Sequence, residues 1–358
     1  MKNSNINFDK YDTVYTTSFG IYRNNIIRRT LLDKTKFKYI KSKNIHKMIF
    51  KTKNICFIGW GKKENTKIAF DYCMHYDLDY IRIEDGFIRS NGLGVTGAKS
   101  MSFIIDKSGI FYDKVNDNDL KDIILKQKLS IIEEKKIRDI IKYITDNKIS
   151  KYNNICTKSI DTLNISDKKN ILIIGQVDND MSLKYGLIDN HDVYLDIIKF
   201  INSNNTNHTI YIKLHPDILS GVKKSSLDLN QLRNMNVIII TDNYNPIELL
   251  SKFEEIHTLT SQMGFEALMI GKKVHTWGVP FYSGYGITED HNIYYEDVRN
   301  TIPRSLEIVF KSMYLDYTIY IDLNKKEVCD IWGIFNQIKN FIEKKVFMKN
   351  FLKYFINK

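Results

Sequence analysis

Short apolar runs that end in polar, glycine-bearing loops recur along the chain, separated by segments with apolar residues at helical spacing. NICFIGW (54–60) reads as a buried strand ending in the Gly59–Trp60–Gly61 turn, KIAFDYCMHY (67–76) as a helix and DYIRIED (79–85) as a second strand. That succession is the repeating unit of parallel α/β sheets. The charged segment 117–149 predicts one or two amphipathic helices, and the polar, weakly periodic 150–168 predicts a connection between domains. A second series follows: strands over 170–176, 208–217, 236–242, 255–261 and 272–278, with helices over 194–204, 245–253 and 262–271. Asn245 is the expected N-cap before Pro246. From about 303 the pattern predicts helix to the end. The expected architecture is α/β and GT-B-like, with two Rossmann-like doubly wound domains, 1–160 and 161–310, and C-terminal helices, 311–358, packing back on the first.

Composition agrees with two cores, since 358 residues with 43% hydrophobic content exceed one ordinary core. Lys and Arg number 53 against 42 Asp and Glu, and a net charge of +11 favours anionic partners. Cys56, Cys73, Cys156 and Cys329 are far apart, which argues against zinc and against a disulfide framework. MKNSNINFDK lacks the apolar run of a secretory signal and no stretch suits a membrane span, so a cytoplasmic location is expected.

In open α/β sheets ligands bind beyond the carboxyl ends of the strands, where the least ordinary residues of this chain fall. TLTSQMGFEALMIGK carries hydroxyls into Gly264 at a helix start, either a phosphate site or an N-capped helix with a packing glycine; Glu266 is a candidate for ribose hydroxyls. KLHPD offers Lys213 and His215 to a phosphate, with Pro216 ending the strand. GQVDND offers Gln176, Asp178 and Asp180 as metal ligands, as base or nucleophile, or as a hydrogen-bonded turn. In RIEDGFIRSNG, strand alternation lets one of Glu84 and Asp85 face a cleft. Arg82 and Arg89 there suit a substrate carboxylate or the neighbouring acid.

RIEDGFIRSNGLG, GQVDNDMS, LHPD, SQMGFEALMIGKKV and GVPFYSGYGITED occur in this order, and the chain resembles the capsular polysaccharide β-Kdo transferases of the KpsC type. TSFGIYRN, GWGKK and YLDYTIYIDLNKKEVCDI extend the resemblance over about residues 11 to 331. The resemblance implies a retaining enzyme that transfers Kdo from CMP-β-Kdo to a lipid-linked saccharide, with other capsule assembly proteins as possible partners. It assigns catalysis to Glu84 and to Gln176, Asp178 and Asp180, and the CMP phosphate to Lys213, His215, Ser261 and Gly264. Asp85, Arg89, Ser90, Gly92, Pro216, Phe265, Glu266, Tyr282 and Tyr285 join them as substrate-binding candidates, Arg89 toward the Kdo carboxylate. Tyr285 stands where relatives usually have Trp and Lys213 near a usual Arg; many relatives carry two modules and this chain one. No cofactor and no metal dependence are expected. The alternatives are another sugar nucleotide in the same fold or a polyanion-binding module, although no nucleic-acid motif is legible. FIEKKVFMKNFLKYFINK (341–358) reads as a basic amphipathic helix, for the inner leaflet of the cytoplasmic membrane or for docking on the N-terminal domain.

Overall fold

The computed structural model describes residues 8–48, 54–94, 97–178, 180–186, 188, 193–214, 218, 229–292, 299 and 302–356, with side chains described as far as 344 in the last segment. Two sheets dominate it. The first contains β1 (Thr13–Thr16), β2 (Phe37–Tyr39), β3 (Ile55–Trp60), β4 (Asp79–Asp85), β6 (Ser102–Asp106), β14 (Thr318–Asp322) and β15 (Glu327–Cys329). Its order is β15-β14-β6-β4-β3-β1-β2. The second contains β8 (Lys169–Ile174), β9 (His208–Lys213), β10 (Val237–Ile240), β11 (Glu255–Thr258), β12 (Lys273–Thr276) and β13 (Glu289–Asp290), in the order β10-β9-β8-β11-β12-β13. A two-stranded parallel ladder, β5 (Ser90–Asn91) with β7 (Tyr152–Asn153), links the first unit to the chain entering the second.

Every pair in the second sheet is parallel, and its order is that of a doubly wound dinucleotide-binding fold. Its switch point lies between β8 and β11, so the loops after Ile174 and Thr258 flank the crevice where such folds bind ligands. In the first sheet β2, β1, β3 and β4 are parallel, with the switch between β1 and β3. Beyond β4 it departs from the doubly wound expectation, because β6, β14 and β15 pair antiparallel. The C-terminal region is correspondingly not all helix. After the helical Leu306–Asp316, the run Thr318–Ile321 is β-branched and aromatic and wholly buried, which suits a strand inside a sheet. The chain therefore returns to the first unit by a hairpin before the long helix Ile331–Ile356.

One apolar core crosses both units: Phe87 and Ile104 belong to the first, Leu172, Phe265 and Phe281 to the second, and Tyr314 and Phe335 to the returning segment. Each such side chain contributes about 1.5–3 kcal/mol on burial, so the two units are joined by packing as well as by chain. Among the described residues no helix is long and apolar enough to cross a membrane.

Candidate active site

The site forms where β4 ends. Glu84 and Asp85 are consecutive strand residues, so their side chains leave opposite faces of the sheet. Asp85 turns into its own loop, where Oδ2 accepts from Arg89 Nε (2.7 Å) and Oδ1 from Ser100 Oγ (2.7 Å). Arg89 also donates to Ser90 Oγ (2.9 Å), whose hydroxyl donates to the Gly92 carbonyl (2.7 Å). This pair shapes the loop and matches the neighbouring-acid alternative for Arg89, the guanidinium that the resemblance pointed toward the Kdo carboxylate. Arg82 is buried on another side, over the rings of Phe70 (4.4 Å) and Tyr80 (5.2 Å).

Glu84 leaves the other face and stays half-buried. Its Oε1 accepts from the Asp85 N–H (3.1 Å) and its Oε2 lies over Gly61. Gly61 has φ +48, and a Cβ there would stand 2.6 Å from Glu84 Oε2 and 2.3 Å from the Tyr112 hydroxyl. Burial pushes the Glu84 carboxyl up to about 7, Asp85 adds to the rise, and the Asp85 N–H, Lys151 and Lys63 oppose it. An acid titrating near neutrality at a strand end is suited to proton transfer.

The second unit faces it through the short helix Met181–Tyr185. Asp180 caps that helix, accepting from the Ser182 N–H (2.9 Å), and Asp178 is exposed on the same loop. Tyr185 lies under the Lys62 ammonium (4.4 Å to the ring centre) and 6.2 Å from the Tyr112 ring, while its carbonyl accepts from the Lys114 N–H (2.9 Å). Gln176 braces the switch point: Oε1 accepts from the Thr260 N–H (2.9 Å) and Nε2 donates to Thr260 Oγ1 (3.1 Å). It is buried, and its role here is to join the ends of β8 and β11.

Several candidates turn out to hold the frame. At the entry to the helix Gln262–Met269 the Thr260 N–H lies on Gln176 and the Ser261 N–H on Thr258 Oγ1, while inside it Met263 lies on Ser261 Oγ and Gly264 on the Ser261 carbonyl. Gly264 is a packing glycine, since a Cβ would stand 2.1 Å from the Tyr282 hydroxyl, which donates to the Ser261 carbonyl (2.6 Å). Phe265 and Tyr282 are fully buried, and Tyr285 lies in the interior beside Arg299 (5.6 Å to the ring centre). Glu266, expected near a ribose, is 1% exposed; its Oε1 accepts from Ser150 Oγ (2.9 Å) and the Lys151 N–H (3.2 Å). Lys213 is buried with its ammonium on the Leu214 carbonyl (2.9 Å), and burial lowers it to about 8. His215 and Pro216 lie outside the described residues.

The structure also brings in residues that sequence reasoning left out. Lys151 lies in the stretch read as a connection, yet its carbonyl accepts from the Arg89 N–H (2.9 Å) and its N–H donates to Glu266. Its charge acts on Glu84, and Glu84, Asp85 and Asp180 act on it. Gly61, Lys62 and Lys63 belong to the GWGKK block, which the sequence marked without a role.

A separate cluster, Glu255, His257 and His275, is buried in the second sheet. Trp277 Nε1 donates to His257 Nδ1 (3.1 Å), which makes His257 Nε2 the protonated nitrogen facing Glu255 Oε1 (3.2 Å). The two imidazoles stack at 4.4 Å and 6°, both His257 nitrogens are engaged, and Lys169 occupies Glu255 Oε2 (2.5 Å). This arrangement favours internal hydrogen bonding over a shared metal.

Comparison with known proteins gives a consistent neighbourhood. The family model described as "Capsule polysaccharide biosynthesis protein" matches residues 55–321. The capsule polysaccharide modification protein LipA of Neisseria meningitidis serogroup A is 32% identical over 78% of this chain and 40% of its own length. The lipopolysaccharide-processing protein LpsZ of Rhizobium meliloti is 31% identical over 74% of this chain and 59% of its own. This chain thus spans less than two thirds of either. Two solved structures from Thermosulfurimonas dismutans KpsC are similar over 92% of the chain. The beta Kdo 2,4 transferase has TM-score 0.79 at 30% identity over 98% of that chain, and the beta Kdo 2,7 transferase has 0.70 at 26% over 99%.

Proposed function

Since the chain belongs to the family of capsule polysaccharide biosynthesis proteins, we propose that it is a retaining β-Kdo transferase. It moves Kdo from CMP-β-Kdo to a lipid-linked saccharide during assembly of a capsule or related surface polysaccharide. The observation that carries this reading is Glu84 at the end of β4, poised near neutrality over Gly61, with the Lys151 charge felt by Glu84 on one side and by Asp180 on the other. The likeness to two β-Kdo transferase structures supports the donor, and the 2,4 transferase is the more similar of the two, which favours a 2,4 linkage.

The chemistry is a double displacement. A carboxylate oxygen of Asp180 attacks the anomeric carbon, and the bond to the phosphate oxygen breaks with its electron pair leaving on CMP. The acceptor hydroxyl then attacks the same carbon, Glu84 takes its proton and Asp180 departs, so two inversions give retention. Glu84 suits the base because its carboxyl titrates close to working pH. Asp180, held by the Ser182 N–H, suits the nucleophile, with Asp178 on the same loop as the alternative. The reaction is read as metal-independent, with Lys63 and Lys151 offsetting the negative charge near Glu84.

Intact-protein mass spectrometry after exposure to CMP-Kdo tests this. E84Q accumulates a Kdo adduct mapped to Asp180, D180N forms none, and EDTA changes neither result. An adduct on Glu84 reverses the two roles, and no transfer by the wild type with a Kdo-terminated acceptor refutes the donor assignment.

A further inference from the structure

Kdo is itself a carboxylate, and the proposed reaction sets it between the carboxylates of Glu84 and Asp180. Bringing another anion beside these acids is repulsive unless a cation stands with them. The cations near the site are mostly committed. Arg89 is held by Asp85 and Ser90, Lys62 by Asp113 and the Tyr185 ring, and Lys213 by the Leu214 carbonyl. Lys63 is exposed, with its ammonium over Trp60 (5.6 Å).

Lys151 differs. Its backbone is fixed on both sides, by the Arg89 and Ser90 N–H groups on its carbonyl (2.9 and 3.3 Å) and by Glu266 on its own N–H (3.2 Å). The side chain is half-buried and lies in the field of Glu84, Asp85 and Asp180. Among the described residues its ammonium has no hydrogen-bond acceptor and no ion-pair partner, its nearest aromatic contact being the Tyr152 ring centre at 5.7 Å. A partly desolvated ammonium without a direct partner is costly to keep, and a carboxylate delivered with the substrate would satisfy it.

Resting on the donor reading above, we propose that Lys151 binds the carboxylate of the donor's sugar acid and that this contact selects an acidic sugar over a neutral one. CMP, which has the phosphate but no sugar carboxylate, separates this role from phosphate binding or support of the fold. K151M is expected to lower kcat/KM for CMP-Kdo by about tenfold to a hundredfold. The inhibition constant of CMP should stay within about twofold, because CMP lacks the group that Lys151 binds. K151R, which keeps the cation, should recover part of the loss. A parallel loss of CMP affinity in K151M, or a kcat/KM close to wild type, overturns the assignment while wild-type turnover keeps the donor reading standing. A wild type that is inactive with CMP-Kdo overturns both.

Discussion

Two glutamates, Glu84 and Glu266, are both pushed up to about 7 by burial, and they serve different ends. Glu84 lies at the cleft and must lose its proton to act as a base, so transfer should rise with pH through about 7 and level off above it. A rate that falls over that range would assign it the acid role instead. E84Q should cost roughly 10²–10⁴ in kcat, checked with a saturating acceptor. Glu266 is interior, and folding raises its pKa from the ordinary 4.5 to about 7. Its contribution to stability is full below pH 4.5, falls as pH climbs toward 7 and is flat above, a change of about 3 kcal/mol. Urea unfolding of E266Q at pH 5 and pH 8 should show a smaller difference than wild type. At this scale the sequence was half legible. Strand alternation implied that Glu84 and Asp85 diverge, and the pairing of Arg89 with Asp85 was one of the readings open to it. Lys151 was not legible, because its place depends on contacts with Arg89 and Glu266 that are remote in sequence.

At the level of elements, the conspicuous sequence blocks prove to be packing partners of one another. Phe87 of the β4 loop meets Phe281 (5.1 Å between ring centres) and Tyr314 (5.6 Å), and Gln262 Nε2 donates to the Phe87 carbonyl (2.8 Å). Gly264 admits the Tyr282 hydroxyl, so G264A should destabilise by about 1–3 kcal/mol in thermal unfolding through overpacking. G61A should instead act on turnover more than its stability loss explains, because the added methyl displaces Glu84. Normal turnover in a folded G61A would show that Glu84 need not lie there. Strands β3, β4, β8 and β11 were legible because each is an apolar run closed by turn residues. Short β1 and β2, and the late β14, were not: TVYT and FKY carry little apolar signal, and TIYID sits in a stretch whose neighbours are helical. Their strand state comes from the sheet they complete.

For the whole molecule, charge and connectivity were the least legible. Residues 17–48 hold nine Lys or Arg, all exposed, and one acid, Asp33, so a net +8 of the chain's +11 is gathered in one segment around β2. We read this face as the one that meets an anionic membrane surface carrying the acceptor, whereas the side chains of 345–358, which suggested the same from sequence, lie outside the described residues. Co-sedimentation with anionic vesicles should weaken with added salt and drop in R28E/R29E/K36E, whereas neutral vesicles should bind neither protein. Binding indifferent to both would remove this face from consideration. The connection expected at 150–168 carries a short strand near its start. Lys151 has its two peptide groups on opposite units, and Tyr152 and Asn153 continue the ladder with Ser90 and Asn91. A swing of one unit about residues 150–153 would break that ladder and cost Glu266 its bonds from Ser150 and Lys151. A hinge at this point would thus have to break contacts that tie the two units together, which sets residues 150–153 against serving as one.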